Sequence, residues 1–322
     1  MRLTALLSLA AVLAACGSSI PARIQSASLV LDFTPNAVHA GIYSAIARQL
    51  DRDNGVRLHV IAPSATTDSI KLLETGAVDF AILDIHDLAI ARERGKDLVG
   101  IMAIVQRPLA ALLAAPRFPT PTSLIGQTVG ITGVPSDTAV LDSIVEGAGG
   151  DPRKLRTVTI GFNAVADLLA GKVAAATAFW NDEGVTLARQ RPGFHAFKVD
   201  DYGAPRYPEL VLCATATSLR RDPGLARHLV SALEAGYRFT ISSPGRSASN
   251  LERLVSGLDP ALVSAELTAL LPAFRAPNGN VGELDTATLR RWAAWEAHFR
   301  IVSRAPDVGV TFDLSFARSV AR

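Results

Sequence analysis

From residue 28 onward, short apolar runs alternate with longer segments of helical period, the pattern of a mixed α/β chain with parallel strands. The runs predict strands near 28–33, 56–61, 78–82, 98–105, 110–114, 128–131, 156–160, 174–179 and 209–215, with helices at 39–53, 67–75, 86–94, 136–147 and 163–171. Several of these helices close on a glycine suited to a left-handed cap: Gly76, Gly95 and Gly171. Beyond residue 217 the strand signals stop, and helices are predicted at 222–242, 245–256, 260–271 and 285–302. Asp222-Pro223 and Asp259-Pro260 each set an N-cap acceptor before a proline in the first turn. A helical tail after two strand-rich halves is expected to pack back on the first half. Pro116 to Pro121 reads as a loop just inside a second unit.

The N-terminus is organised differently. Met1-Arg2 is followed by an apolar run from Leu3 to Leu13 and then by Leu13-Ala14-Ala15-Cys16-Gly17. Spanning a bilayer takes roughly 20 apolar residues, so this run reads as a cleavable export signal, residues 1–15. A cysteine directly after Leu-Ala-Ala resembles the bacterial lipobox. Cys16 is therefore expected to carry lipid and to anchor the protein to the membrane, with 16–27 as a tether. Cys213, in the apolar run Leu210 to Ala214, is then alone and expected to be an inert core thiol. Two cysteines so placed build neither a structural zinc site nor an iron-sulfur site.

Composition narrows the function classes. At 322 residues the chain is long enough for about two domains. With 49% apolar and 19% charged residues and a net charge of +2, it is neither disordered nor marked as a nucleic-acid binder. A small neutral ligand remains open.

The segment Leu31-Asp32-Phe33-Thr34-Pro35-Asn36-Ala37-Val38-His39-Ala40-Gly41-Ile42-Tyr43 carries the most information. It resembles the opening motif of thiamine-pyrimidine-precursor binding proteins. The resemblance recurs in that family's order at Ala103 to Leu109, Gly130 to Ser136, Gly149 to Pro152, Phe179-Trp180-Asn181-Asp182-Glu183-Gly184, Val199 to Gly203 and Pro208 to Leu212, covering residues 28 to about 300. It implies a solute receptor of an ABC importer with a two-lobed periplasmic-binding-protein (type II) α/β fold. Its expected lobes are 28–107 with 217–322, and 108–216. The crossings are expected near Gln106 to Leu109 and Cys213 to Ser218. It further implies a monomer that holds a flat heterocycle between the lobes, without a cofactor, and meets a permease and its ATPase.

A pyrimidine needs an aromatic face and polar groups at the ring edge. Phe33, Tyr43, Trp180 and Tyr202 offer faces. Asp32, Asn36, Asn181 and Glu183 offer edges, with Glu183 the first choice for the amino group. Each has a structural alternative: the aromatics as core, Asp32 and Asn36 as turn formers, His39 as a helix cap. The strand-loop-helix passage Gly130 to Asp137, with Gly133, Pro135 and Ser136, could present free backbone N–H groups to a polar ligand; Ser136 is equally an N-cap. Asp84-Ile85-His86-Asp87 departs from the family pattern, and Asp84 either reads a ring edge or caps the next helix. No metal site is expected.

The family also contains pyrimidine synthases that use pyridoxal phosphate and a cysteine-rich iron motif. This chain has no cysteine cluster and no lysine before Lys71, which argues against an enzyme. Riboflavin, an aromatic sulfonate or another flat heterocycle is the alternative cargo.

Overall fold

The computed structural model describes residues 24–64 and 68–317. The export signal and the lipid on Cys16 concern residues outside that range.

Ten strands form two five-stranded sheets. They are β1 (Gln25–Val30), β2 (Val56–Ile61), β3 (Phe80–Asp84), β4 (Leu98–Ala103), β5 (Ala110–Ala114), β6 (Thr128–Ile131), β7 (Arg156–Thr159), β8 (Ala175–Phe179), β9 (His195–Lys198) and β10 (Leu210–Thr215). The first sheet runs β2-β1-β3-β10-β4 and the second β7-β6-β8-β5-β9. In each sheet the first three strands are parallel and the fourth is antiparallel to both of its neighbours. That fourth strand is the one the chain delivers on arriving from the other sheet. β4 and β5 are buried along their whole length, as expected of strands covered on both faces, whereas all four residues of the edge strand β7 are exposed.

This topology corrects one expected boundary. Leu210–Thr215 pairs with β3 and β4 and so belongs to the first sheet, not to a second unit spanning 108–216. The second crossing therefore lies before β10, between the 3₁₀ turn Val199–Asp201 and Leu210, rather than at 213–218. An apolar run shows that a strand is buried but not which sheet takes it. The two crossings lie side by side, joined by Ile104 N–H to the Leu210 carbonyl at 2.8 Å.

Between the strands lie α1 (Ala40–Ala47), α2 (Leu50–Asp53), α3 (Asp68–Glu74), α4 (Ile85–Glu93), α5 (Asp137–Gly147), α6 (Ala164–Leu169) and α7 (Glu183–Gln190). The single helix expected over 39–53 is split at Gln49, whose φ of 60° lies in the left-handed region. The strand β9 and the helix α7 were not legible, being short and separated by Pro192-Gly193. The tail consists of α8 (Ala216–Arg221), α9 (Pro223–Ser242), α10 (Pro244–Leu254), α11 (Pro260–Leu270), α12 (Thr286–His298) and α13 (Val308–Thr311).

Helices α9 and α10 pack on α1, and glycine permits the approach: a Cβ on Gly236 would lie 2.2 Å from the Gly41 carbonyl oxygen. Tyr237 fills the space over Gly41 and donates to the Val38 carbonyl at 2.9 Å. Beyond this expected packing, α12 reaches both halves. Trp295 Nε1 donates to Ser143 Oγ of α5 at 3.2 Å, and Glu296 bonds His86 of α4.

Candidate functional site

A cleft of about 1200 Å³, its mouth included, separates the two sheets. It lies beyond the carboxyl ends of β1, β3, β6 and β8, where doubly wound sheets leave loop backbone and side chains free to meet a ligand. The first half supplies Asp32, Phe33 and Asn36 after β1, Asp84 at the end of β3, His86 and Asp87 from α4, and Glu209 at the start of β10. The second supplies Thr132, Val134 and Ser136 after β6, Phe162 before α6, and Phe179, Asn181, Asp182 and Glu183 from the β8–α7 turn. Phe33 and Phe162 meet across the cleft with ring centroids 5.7 Å apart and planes inclined at 51°.

The walls are acidic, and among the described residues neither Lys nor Arg lines them. Asp32 is held by His39, whose Nδ1 accepts from Asn36 N–H at 3.2 Å, so that Nε2 carries the proton and donates to Asp32 Oδ1 at 2.9 Å. Asn36 in turn caps the 3₁₀ turn Ala37–His39 by accepting from Val38 N–H at 2.9 Å. Glu183 Oε2 accepts from Phe179 N–H at 3.0 Å. Burial, and then the neighbouring Asp182, push its carboxyl up to about 7. Asp87 also rises to about 7, through burial and then Asp84. Asn181 is buried, and its Oδ1 has no hydrogen-bond partner.

Behind Asp84 lies a buried histidine network. Asp84 caps α4, its Oδ1 accepting from His86 N–H at 2.7 Å. His86 bonds Glu296 through Nδ1, and its Nε2 lies 3.2 Å from the Tyr207 hydroxyl and 3.6 Å from Glu209 Oε1. Burial alone would lower the imidazole pKa. Glu296, Asp84 and Glu209 outweigh it and raise the value to about 10. Asp84, His86 and Glu209 bring ligand-type atoms within 4.8 Å of one another, but His86 as the imidazolium has no lone pair for a metal.

Of the residues singled out from sequence, Asp32, Phe33, Asn36, Asp84, Ser136, Asn181 and Glu183 line the cleft. The others serve it from behind or stand apart. His39 is fully buried and positions Asp32. Tyr43 faces the core on α1. Trp180 is pinned beneath the first crossing by Nε1 to the Pro108 carbonyl at 2.9 Å, with Lys198 Nζ 4.1 Å from its ring centroid. Tyr202 packs edge-on against Phe197 at 5.8 Å. Gly133 and Pro135 also lie off the cleft wall. The N–H groups expected to be free in that loop are taken from within: Asp137 Oδ2 accepts from Gly133 N–H at 2.6 Å, Val134 N–H at 3.1 Å and Thr132 Oγ1 at 2.8 Å. Ser136 precedes α5 without a side-chain capping bond, while Asp84 both caps a helix and lines the cleft.

Sequence reasoning missed Phe162, Asp182 and Glu209 as cleft residues, and named Asp87 only within the segment that departs from the family pattern. For Glu209 a signal existed: a carboxylate directly before the buried run Leu210-Val211-Leu212-Cys213 is costly unless something answers it.

Known proteins extend this picture. Residues 36–247 match the family model described as NMT1/THI5 like. A formylaminopyrimidine-binding protein of Halalkalibacterium halodurans is 28% identical over 286 residues, covering 85% of this chain and 86% of that protein. A 4-amino-5-hydroxymethyl-2-methylpyrimidine phosphate synthase of Legionella pneumophila is 21% identical, covering 93% of each. In fold, the chain is similar to the periplasmic aliphatic sulphonate binding protein SsuA of Escherichia coli, with a TM-score of 0.72 and 16% identity over 89% of this chain and 97% of that one. The architecture is that of the periplasmic binding proteins, two α/β units with helices in the C-terminal region. By the extent of the family match, this chain belongs to the NMT1/THI5-like family.

Proposed function

We propose that the protein is a non-catalytic, extracytoplasmic solute receptor of an ABC importer. It captures a thiamine pyrimidine precursor, formylaminopyrimidine or hydroxymethylpyrimidine, between its two halves and presents it to the permease. The observation that carries this reading is the chemistry of the cleft. Its polar wall is mostly carboxyl groups with amide and hydroxyl oxygens, its one basic residue among those described, His86, being paired with Glu296, and it stands beside the rings of Phe33 and Phe162. Such a wall answers the amino groups and flat face of an aminopyrimidine and repels a sulfonate or another anion. The resemblance to a protein named for binding formylaminopyrimidine supports the same cargo.

The non-catalytic part is supported by the resemblance to a protein named for binding formylaminopyrimidine. No helix of the described residues is long and apolar enough to cross a membrane. Membrane attachment is assigned to lipid on Cys16. The lobes correspond to the two sheets, the tail helices α9 and α10 belonging with the first. Closure of these lobes over the ligand is the form the permease recognises. Riboflavin or another flat heterocycle is the second reading, since the paired rings of Phe33 and Phe162 offer an aromatic face to any flat ring.

Calorimetric titration of the purified full-length chain with formylaminopyrimidine, hydroxymethylpyrimidine, thiamine and riboflavin tests the assignment. A Kd of about 1 μM or tighter for a pyrimidine precursor is expected. At a hundred times Kd that ligand should add about 2.7 kcal/mol of stability. Binding of riboflavin alone, or of none of the four, would overturn the cargo.

A further inference from the structure

Glu209 stands where the second crossing enters β10, opposite the end of β3, with Leu210 in register with Asp84. Its side chain is 1% exposed. One oxygen is fully engaged: Oε2 accepts from Leu109 N–H at 2.6 Å and Ala110 N–H at 3.2 Å, tying the second crossing to the end of the first. The other, Oε1, is buried at the cleft wall without a hydrogen-bond partner. Its neighbour His86 Nε2 lies at 3.6 Å, beyond good hydrogen-bond reach. Because two N–H groups occupy Oε2, a proton carried by this carboxyl sits on Oε1. Asp84 lines the same corner of the cleft, with a carboxylate oxygen within 4.8 Å of one of Glu209.

A donor beside an acceptor is the complement of an amidine edge, in which a ring nitrogen accepts and the adjacent exocyclic amino group donates. We propose that Glu209 Oε1 is a proton-carrying donor that reads the ring nitrogen of a bound amino-heterocycle, while Asp84 accepts from the neighbouring amino group. This deepens the receptor reading above and rests on it. The hydrogen bond survives if its proton passes to the ring nitrogen, since the pair then still holds one proton between carboxylate and ring. Through Oε2, the group that reads the ligand is also the one that fastens the two crossings together.

The groups facing Glu209 are Asp84 from β3, His86 from α4, Tyr207 from its own segment and, through His86, Glu296 from α12; Leu109 and Ala110 of the first crossing bring no charge. Burial and then Asp84 raise the Glu209 carboxyl to about 8, which favours its protonated form at neutral pH. Above that value, binding must recover a proton from solvent, and affinity should fall about tenfold per pH unit.

The test is the pH profile of formylaminopyrimidine affinity between pH 6.5 and 9.5, measured on the full chain and on Glu209→Gln, with the melting temperature of each as a check of folding. In the variant the carboxamide oxygen can accept from Leu109 and Ala110, which leaves the NH₂ as a permanent donor toward the cleft. Wild type should lose affinity about tenfold per unit above pH 8, while Glu209→Gln still binds and loses that slope. A level profile in wild type would overturn the inference. An unchanged slope in Glu209→Gln would also overturn it and point to Glu183 or Asp87 as the titrating group. Loss of binding at every pH in a folded Glu209→Gln would mean that an acceptor, not a donor, is required. In those three outcomes the cargo assignment stands, whereas a wild type that binds no aminopyrimidine at any pH overturns both.

Discussion

Single carboxyl groups in this protein do different work according to how many donors they meet. Asp137 is 5% exposed and accepts from two backbone N–H groups and two hydroxyls, one of them Thr177 Oγ1 at 2.8 Å, so it shapes the loop after β6 instead of leaving that loop open for a ligand. Asp137→Ala would strand those donors and should cost about 2–3 kcal/mol, read as a lower denaturant midpoint. An unchanged midpoint would mean that the loop finds other acceptors. Glu183 accepts from the Phe179 N–H in a buried setting and also lines the cleft. Glu183→Gln should weaken pyrimidine binding about tenfold, because an NH₂ donor replaces one of the two acceptor oxygens that can meet the amino group of the ligand. Equal affinity in titrations of the two proteins would assign Glu183 to the turn alone. Asp32, Asn36 and Glu183 were legible through the motifs that resemble the family, which stand at predicted strand ends. The aromatics were harder: Tyr43 and Trp180 belong to the same motifs as cleft residues yet face the core and the crossing. Residue type carries no direction.

At the scale of elements, the tail is fastened to the first sheet through the contact of α1 with α9. Gly41 and Gly236 allow backbone to approach backbone, and Tyr237 covers the remaining space. Gly236→Ala places a methyl group 2.2 Å from the Gly41 carbonyl oxygen, which neither helix can accommodate without sliding. The gain in helix propensity, about 1 kcal/mol, is smaller than the strain of overpacking, about 1–3 kcal/mol or more, so the variant should melt below wild type. A higher melting temperature would mean that the helices separate freely. The helices of the tail were readable from Asp-Pro caps and 3.6-residue periodicity. The bridging position of α12 was not, since Trp295 and Glu296 look like an ordinary buried stripe until Ser143 and His86 are brought to them.

At the scale of the whole molecule, burial of acids around the cleft links stability to pH. His86 is raised to about 10 and Glu209 to about 8, so each folded state holds a proton that the unfolded chain releases earlier. The contribution of Glu209 is complete below its ordinary value of 4.5 and is lost as pH rises through about 8. That of His86 is complete below 6.5 and is lost through about 10. Glu183 and Asp87, both raised to about 7, act in the same sense. Denaturant midpoints should therefore fall steadily from pH 6.5 to 10, and less steeply in His86→Gln. A midpoint level across that range would show that these groups are ionised or relaxed otherwise in the folded protein.

By itself the sequence determined the alternation of strands and helices, the helical tail and the family, because periodicity, caps and short motifs are local properties of the chain. It did not determine that β10 belongs to the first sheet, since an apolar strand is equally content between any two neighbours. Nor did it reveal the corner of Asp84, His86, Glu209 and Glu296, drawn from residues more than 200 positions apart in the chain. Only the tertiary structure decides such a site: which carboxyl oxygens are answered by donors and which are left facing the cleft depends on distances that local sequence does not encode.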